Sequence, residues 1–326
     1  MGKNGKPTNS QMSEVDGPGW TFLWWILTSV FVPISIPYLA YKLFYSKTTN
    51  FKLQGKVVLI TGASSGLGEA LAHAFYKAGC KVILTARREK ELARVKNDLL
   101  SLHPTVPTYP PVTLLLDLSK PEDIPKYASE VLAIHKNVDI LVNNAGISYR
   151  GDVMSTKVEV DEQVMAVNYF GTVALTKAFL PCMVAQGGGH IVAISSVQGR
   201  IALPQRSAYA ASKHALQAFF DSLRAELAAA NVKVTVVSPG YIRTNLSLNA
   251  VTGSGELYGE LDETTASGYS PESVANKIVA SVAREKEEVV IAPLSARLAI
   301  GLRTVLPSLY FRIMERRAAR GAAKNK

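Results

Sequence analysis

From Lys56 onward, short apolar runs alternate with longer stretches whose apolar side chains recur every three to four residues. The runs Val57–Ile60, Lys81–Thr85, Val112–Leu116, Ile140–Asn143, His190–Ile194, Lys233–Val237 and Val289–Ala292 read as strands. Between them, Glu69–Ala78, Glu89–Leu102, Glu122–His135, Glu162–Ala185, Ala208–Ala229 and Pro271–Arg284 read as helices. Strands that are apolar throughout are buried on both faces. The pattern therefore predicts an α/β fold, a doubly wound parallel seven-stranded sheet within one domain, 56–293. The stretch from Ile242 to Ser270 breaks the alternation with Gly, Ser, Thr and acidic residues. A structureless connection that long, following a strand end, is expected to be a lid or binding loop.

A different pattern precedes the first strand. Residues 1–19 are polar, and Trp20 to Tyr41 carries no charge over twenty-two residues. At 1.5 Å per residue that run crosses a hydrocarbon core of about 30 Å. Trp20, Trp24, Trp25, Tyr38 and Tyr41 crowd toward its ends, as interfacial aromatics do. The length and flanks disfavour a cleaved signal peptide, so 20–41 is expected to be a single transmembrane helix, a signal-anchor, and 42–55 a short basic linker. Lys42, Lys47, Lys52 and Lys56 follow the span, whereas Glu14 and Asp16 offset Lys3 and Lys6 before it. That asymmetry favours a cytosolic catalytic domain, on the endoplasmic reticulum or a related membrane such as the peroxisomal one.

Charge changes the picture only at the other end. Of the net +10, residues 294–326 supply +7, from eight basic residues and one acidic residue. The body is nearly balanced and has no basic stripe with interleaved aromatics, so nucleic acid is not an expected partner. In the tail, Arg297, Arg303 and Arg312 interrupt the apolar Leu298, Ile300, Leu302, Val305, Leu306, Leu309, Phe311 and Ile313. A second span is expensive with those arginines, and two readings stay open. Either the tail lies against membrane lipids, or its apolar residues pack onto the folded domain or a homodimer partner. Two cysteines, Cys80 and Cys182, exclude a disulfide framework or cysteine metal site, and the scattered histidines lack metal-ligand spacing.

The candidate chemistry centres on Tyr209-Ala210-Ala211-Ser212-Lys213. Residues four apart share a helix face, and a nearby ammonium lowers a phenol pKa from about 10. Such a phenol can exchange a proton with an alcohol or carbonyl oxygen. Ser196 lies thirteen positions upstream, and Asn168 lies further back. After the first strand, Gly62-Ala63-Ser64-Ser65-Gly66-Leu67-Gly68 offers a turn that lets backbone approach a pyrophosphate at a helix N-terminus. Ser64 and Ser65 either cap that helix or touch the phosphates. The second strand ends Thr85-Ala86-Arg87-Arg88, with no carboxylate for ribose hydroxyls. An arginine there suits a 2′-phosphate, which favours NADP(H) over NAD(H).

With these pieces assembled, the chain resembles the short-chain dehydrogenase/reductase family. The resemblance rests on Thr61–Gly68, Asp117, Asn143-Asn144-Ala145-Gly146, Asn168, Ser196, Tyr209-x-x-x-Lys213, Pro239-Gly240 and Thr244. It implies a Rossmann-like fold and hydride transfer between nicotinamide and a secondary alcohol or ketone. By resemblance, Tyr209 is the general acid/base and Ser196 binds the reacting oxygen of the substrate. Lys213 holds the nicotinamide ribose and lowers the Tyr209 pKa, and Asn168 supports a proton-relay water. Gly62, Ser64, Ser65, Gly66, Leu67 and Gly68 cradle the cofactor, with Arg87, Asp117 near adenine, Asn144 near the adenosine ribose and Thr244 near the nicotinamide amide. The spacing selects Ser196, so Ser195 is expected to face the sheet.

Val142–Arg150, Asn168–Gly171, His190–Ser196, Ser207–Ala215 and Ser238–Ser247 are similar to a membrane-anchored subgroup of lipid-metabolising reductases. That implies a lipophilic small-molecule substrate, with acyl- or alkyl-dihydroxyacetone phosphate suggested. Apolar residues between Leu246 and Leu261 could cover such a chain. The competing function is a catalytically silent membrane scaffold or regulatory nucleotide-binding protein.

Overall fold

The computed structural model describes residues 24–25, 27–33, 35–38, 52–103 and 109–324, without the side chains of 320–324. The chain divides into two compact units, Met1–Thr49 and Asn50–Lys326. In the first, the described residues are helical, with a π-turn at Leu27–Phe31, and Trp24, Trp25, Phe31, Ile36 and Tyr38 are exposed. The rest of the expected anchor, and residues 1–19, lie outside the described residues. Among the described residues, one helix is long and apolar enough to cross a membrane, Val158–Ala185, and half of it is buried in the second unit. It is a core helix.

The second unit is built on strands β1 (Val57–Thr61), β2 (Lys81–Ala86), β3 (Val112–Leu115), β4 (Ile140–Asn143), β5 (Tyr149–Arg150), β6 (Gly189–Ile194), β7 (Val232–Pro239), β8 (Val251–Thr252) and β9 (Glu288–Ile291). Seven of them form one parallel sheet in the order β3-β2-β1-β4-β6-β7-β9. These are the seven strands expected, shifted by no more than a residue or two at their ends, and the Rossmann-like architecture follows. The helices are α1 (Gly66–Lys77), α2 (Glu89–Leu102), α3 (Ile124–His135), α4 (Val158–Met165), α5 (Thr172–Ala185), α6 (Ser207–Glu226), α7 (Glu263–Ala266), α8 (Pro271–Val282), α9 (Leu294–Val305) and α10 (Pro307–Lys324). Along β1 the side chains divide by parity: Val58 and Ile60 join the core under α1 and α8, Val57 and Leu59 the core under α3, α5 and α6. Both faces are covered, which is why the strands read as unbroken apolar runs. The strand order reverses beside β1, between β2 and β4, and a crevice opens there beyond the C-terminal ends.

Two expectations need correction, and one open reading is decided in part. The Ile242–Ser270 stretch is not structureless. It holds β8, which pairs in parallel with β5, the short α7, and isolated bridges Ile242↔Tyr269 and Val251↔Leu257. Strands of two residues are too short to produce a readable alternation. Of the readings left open for the tail, packing onto the folded domain is seen for its inward residues: Tyr310 is buried with Val197, Ile201 and Ala292, and Ala296, Ala299, Ile300, Leu302 and Met314 pack around them. Finally, α4 and α5 are joined without a break by a π-turn, Ala166–Gly171, where a plain α-helix was expected. A π-turn inside a helix often marks a functional site, and this one carries Asn168.

Candidate active site

The glycine turn is held by its neighbours as much as by its own sequence. Gly62 and Gly66 adopt φ +66° and +60°, the left-handed region that favours glycine. At Gly68 a Cβ would lie 2.1 Å from the Gly62 carbonyl oxygen and 2.6 Å from Asn144 Nδ2, so any side chain there would force α1 off the turn. Asn144 donates from Nδ2 to the Thr61 carbonyl at 2.9 Å, and Thr61 Oγ1 accepts from the Asn144 and Ala145 amides, each at 2.9 Å. The side chain placed near the adenosine ribose by resemblance is thus spent on tying β4 to the turn. Thr244 faces the turn from the far side, where a Cβ on Gly66 would come within 3.0 Å of its methyl group. Leu67 is buried in the core while still lining the cleft.

Ser64 and Ser65 do not cap α1 with their side chains. Both hydroxyls accept from Arg88 Nη2, at 2.9 and 2.7 Å. Sequence reading selected Arg87 and left Arg88 aside. The signal was available, since two arginines follow β2, but nothing in the spacing says which turns toward the glycine turn. Arg87 lines the cleft next to Asp117. Burial would raise the Asp117 carboxyl, yet hydrogen bonds from Ser119 and the charge of Arg87 carry it below the ordinary carboxylate value.

Behind these residues opens a cleft of about 950 Å³ that also reaches Ser196, Tyr209, Lys213 and Thr244. Asn168 is fully buried beside it. Its Oδ1 accepts from the Ile147 amide at 2.8 Å, and its Nδ2 donates to the Ile147 carbonyl at 3.0 Å and to Ser212 Oγ at 2.9 Å. It clamps the segment after β4 to α6, one residue from Lys213. Ser196 lies two residues past β6 and caps the next turn, its Oγ accepting from the Gln198 amide at 3.0 Å. That leaves its own hydroxyl hydrogen to donate. Ser195 Oγ turns to α6, donating to the Lys213 carbonyl at 3.3 Å, rather than into the sheet as expected. Contact at this point is tight, because a Cβ on Gly199 would lie 2.4 Å from Ser195 Oγ and 2.8 Å from that same carbonyl.

The electrostatics differ from expectation. Lys213 donates to the Ile194 carbonyl at 2.9 Å, and its Nζ stands 5.8 Å from the Tyr209 ring centroid. Burial lowers the lysine to about 8. Burial also raises the Tyr209 phenol, and a hydrogen bond with Ser196 and the positive charge of Arg150 only partly oppose that rise. The expected depression of Tyr209 by Lys213 is not seen: the net shift is upward, burial is its largest cause, and the cation that acts on the phenol is Arg150. Arg150 was missed by sequence reading. It lines the cleft, its Nη1 donates to Ser148 Oγ at 2.6 Å, and its guanidinium pairs closely with Asp262. Arg206 stands 3.6 Å from the same carboxylate. One aspartate from the 243–270 stretch is therefore gripped by two arginines beside the site. The two are far apart in sequence, so no local motif announces the pair.

A family model described as short chain dehydrogenase matches residues 56–254. The chain belongs to the short-chain dehydrogenase/reductase family. It is 58% identical over 298 residues to the "Dehydrogenase/reductase SDR family protein 7-like" of Anopheles gambiae, covering 90% of this chain and 94% of that protein. It is 53% identical over 267 residues to "Dehydrogenase/reductase SDR family member 7B" of Bos taurus, covering 82% of each. A short chain dehydrogenase/reductase from Burkholderia phymatum, solved in complex with NAD, superposes with a TM-score of 0.69 at 26% identity, over 79% of this chain and 96% of that one. The protein is thus an oxidoreductase of this family, which acts on CH–OH groups. The left-handed turn at Gly62 and Gly66 and the close seating of α1 on it at Gly68, at one side of the cleft, fit a nicotinamide dinucleotide.

Proposed function

We propose that the protein is an NADP(H)-dependent oxidoreductase that interconverts a lipid ketone and its secondary alcohol. One observation supports this reading above the others: Tyr209, Ser196 and Lys213 line one cleft whose opposite end is the glycine turn with Arg87 and Arg88. The bound nicotinamide supplies or accepts the hydride. Ser196 donates to the substrate oxygen, and Tyr209 gives or takes the proton there. Lys213, burdened by burial, still carries its proton at neutral pH, since about 8 lies above 7. Asn168 keeps α6, and with it Tyr209 and Lys213, in register with the segment after β4.

The preference for NADP(H) rests on two cations directly after β2, with no carboxylate before Glu89. The lipophilic substrate rests on the uncharged 20–41 segment, read as an anchor, and on Leu246 and Leu257 at the cleft. The setting is the endoplasmic reticulum membrane, with the catalytic unit on the cytosolic side. Acyl- or alkyl-dihydroxyacetone phosphate is the substrate suggested by the similarity to member 7B.

Fluorescence titration and a ketone panel test this. Tyr209→Phe is expected to abolish turnover while leaving NADPH affinity within about twofold. Arg87→Ala is expected to weaken NADPH about tenfold or more, the worth of a charge-assisted hydrogen bond, without changing NADH. Tighter binding of NADH than NADPH by the unaltered protein refutes the cofactor assignment. Nucleotide binding with no turnover on any ketone or alcohol favours the silent scaffold instead.

A further inference from the structure

The C-terminal helices pack inward through Tyr310 and Met314, and several large apolar side chains on their outward faces stay exposed. On α9, Leu294, Leu298 and Val305 are exposed, four and seven positions apart in turn, and Gly301 lies between them. On α10 and its start, Leu306, Leu309 and Ile313 are exposed as well. These positions recur along one side of each helix. Arg297, Arg312, Arg316 and Arg317 are exposed beside them, against one acid, Glu315, while Arg303 stacks on the Phe311 ring. A surface both apolar and cationic matches one environment, the headgroup boundary of an anionic bilayer.

The apolar surface reaches the cleft. Ile313 and Arg317 belong to the cleft lining, together with Leu246 and Leu257 from the 243–270 stretch. Ile313, Leu246 and Leu257 are themselves exposed, so apolar side chains ring the mouth on both sides. A soluble mouth would leave them in water. We propose that α9 and α10, with Leu246 and Leu257, form a face that docks on an anionic lipid surface and opens the cleft to the bilayer. A substrate dissolved in the membrane then enters without crossing water. The 243–270 side sets Glu256, Glu260 and Glu263 against Arg243, so the net electrostatic attraction comes from α9 and α10. Each basic residue near such a surface contributes a factor of about five in binding.

This docking does not depend on the proposed NADP(H) chemistry, and the two can fail separately. All the core clusters lie within Leu53–Met314, so residues 50–326 carry their own core. That unit, free of the uncharged segment, is mixed with vesicles of phosphatidylcholine alone or with 30 mol% phosphatidylserine and sedimented. The expected result is binding at least tenfold tighter to the anionic vesicles, and release at high salt. Arg312→Glu with Arg316→Glu should cut it about tenfold or more, and Leu298→Ser with Leu309→Ser should weaken it on both compositions. All four positions are exposed, and unchanged melting temperatures confirm that the variants fold. A polarity-sensitive dye at Leu257→Cys should shift to the blue on vesicles, whereas one at Lys136→Cys, near the opposite end of the sheet, should not. Equal sedimentation of parent and variants overturns the proposal. So does a stable dimer that leaves vesicles unbound, which would assign the same face to a second copy. Turnover of a water-soluble ketone, followed alongside, reports on the chemistry and not on the docking.

Discussion

The Tyr310 hydroxyl donates to the Ala202 carbonyl at 2.7 Å, across 108 positions of chain. It stitches α10 to the loop that leaves Ser196, and the ring fills the pocket formed by Val197, Ile201 and Ala292. Tyr310→Phe keeps the ring and loses one hydrogen bond, so it should cost about 1 kcal/mol in urea unfolding. Tyr310→Ala also opens a cavity and should cost about 3–5 kcal/mol. If both variants cost the same small amount, the ring is not part of the core.

Asn168→Asp preserves size and removes two donors. The carboxylate could still accept from the Ile147 amide but would face the Ile147 carbonyl and the Ser212 hydroxyl oxygen without a hydrogen to offer. An unsatisfied buried acceptor of this kind costs about 1–3 kcal/mol, more when charged. Turnover should fall by at least tenfold while cofactor affinity changes little. A variant with parental kcat would show that the clamp is not needed for alignment.

Gly199→Ala tests the packing between the Ser196 turn and α6. The added methyl would meet Ser195 Oγ, which can rotate, and the Lys213 carbonyl, which cannot retreat without moving the helix that carries Tyr209. Loss of kcat with retained fold is the expected outcome, readable by circular dichroism beside steady-state kinetics. Gly187, with open space around it but φ +84°, is the comparison: alanine there costs backbone strain and leaves kcat alone.

His190 sets an acid limit on stability. It is buried, and burial followed by the charge of Lys233 lowers it to about 4. Thr235 donates its only hydroxyl hydrogen to the Lys286 carbonyl at 2.6 Å, so it accepts from His190 Nε2 at 2.8 Å. Between the ordinary value near 6.5 and about 4, the unfolded chain binds a proton that the folded chain refuses. Stability is therefore full above pH 6.5 and declines as pH falls toward 4, by about 3 kcal/mol over that window. His190→Gln should flatten the slope of unfolding free energy there, even if it lowers the plateau.

The sheet was legible because its strands are buried on both sides. Each reads as an unbroken apolar run, and the helices between them are long enough for several turns of periodicity. β5 and β8 were not legible, since two residues cannot establish an alternation, and their pairing depends on a neighbour about 100 positions away. Within the site, Tyr209 and Lys213 share one helix face, so their spacing carried the geometry. Arg150 and Asp262 meet only through the fold, and Arg88 differs from Arg87 by where one side chain turns. The Tyr209 titration was misjudged for a related reason: sequence shows the nearby lysine but not the burial that raises the phenol.

The π-turn at Ala166–Gly171 makes the Val158–Ala185 helix intolerant of a change in length. A π-turn holds one residue more than α-helical geometry needs, and each helical residue turns the chain by about 100°. Deleting a single residue between 166 and 171 would let the helix relax to a regular one. It would then swing Val160 and Val164 away from Tyr149 and Tyr209, or carry Leu175, Phe179 and Met183 out of the core beneath the sheet. The stretch therefore tolerates no deletion, and Asn168 and Gly171 fix two of its positions, so related chains should keep the same residue count there.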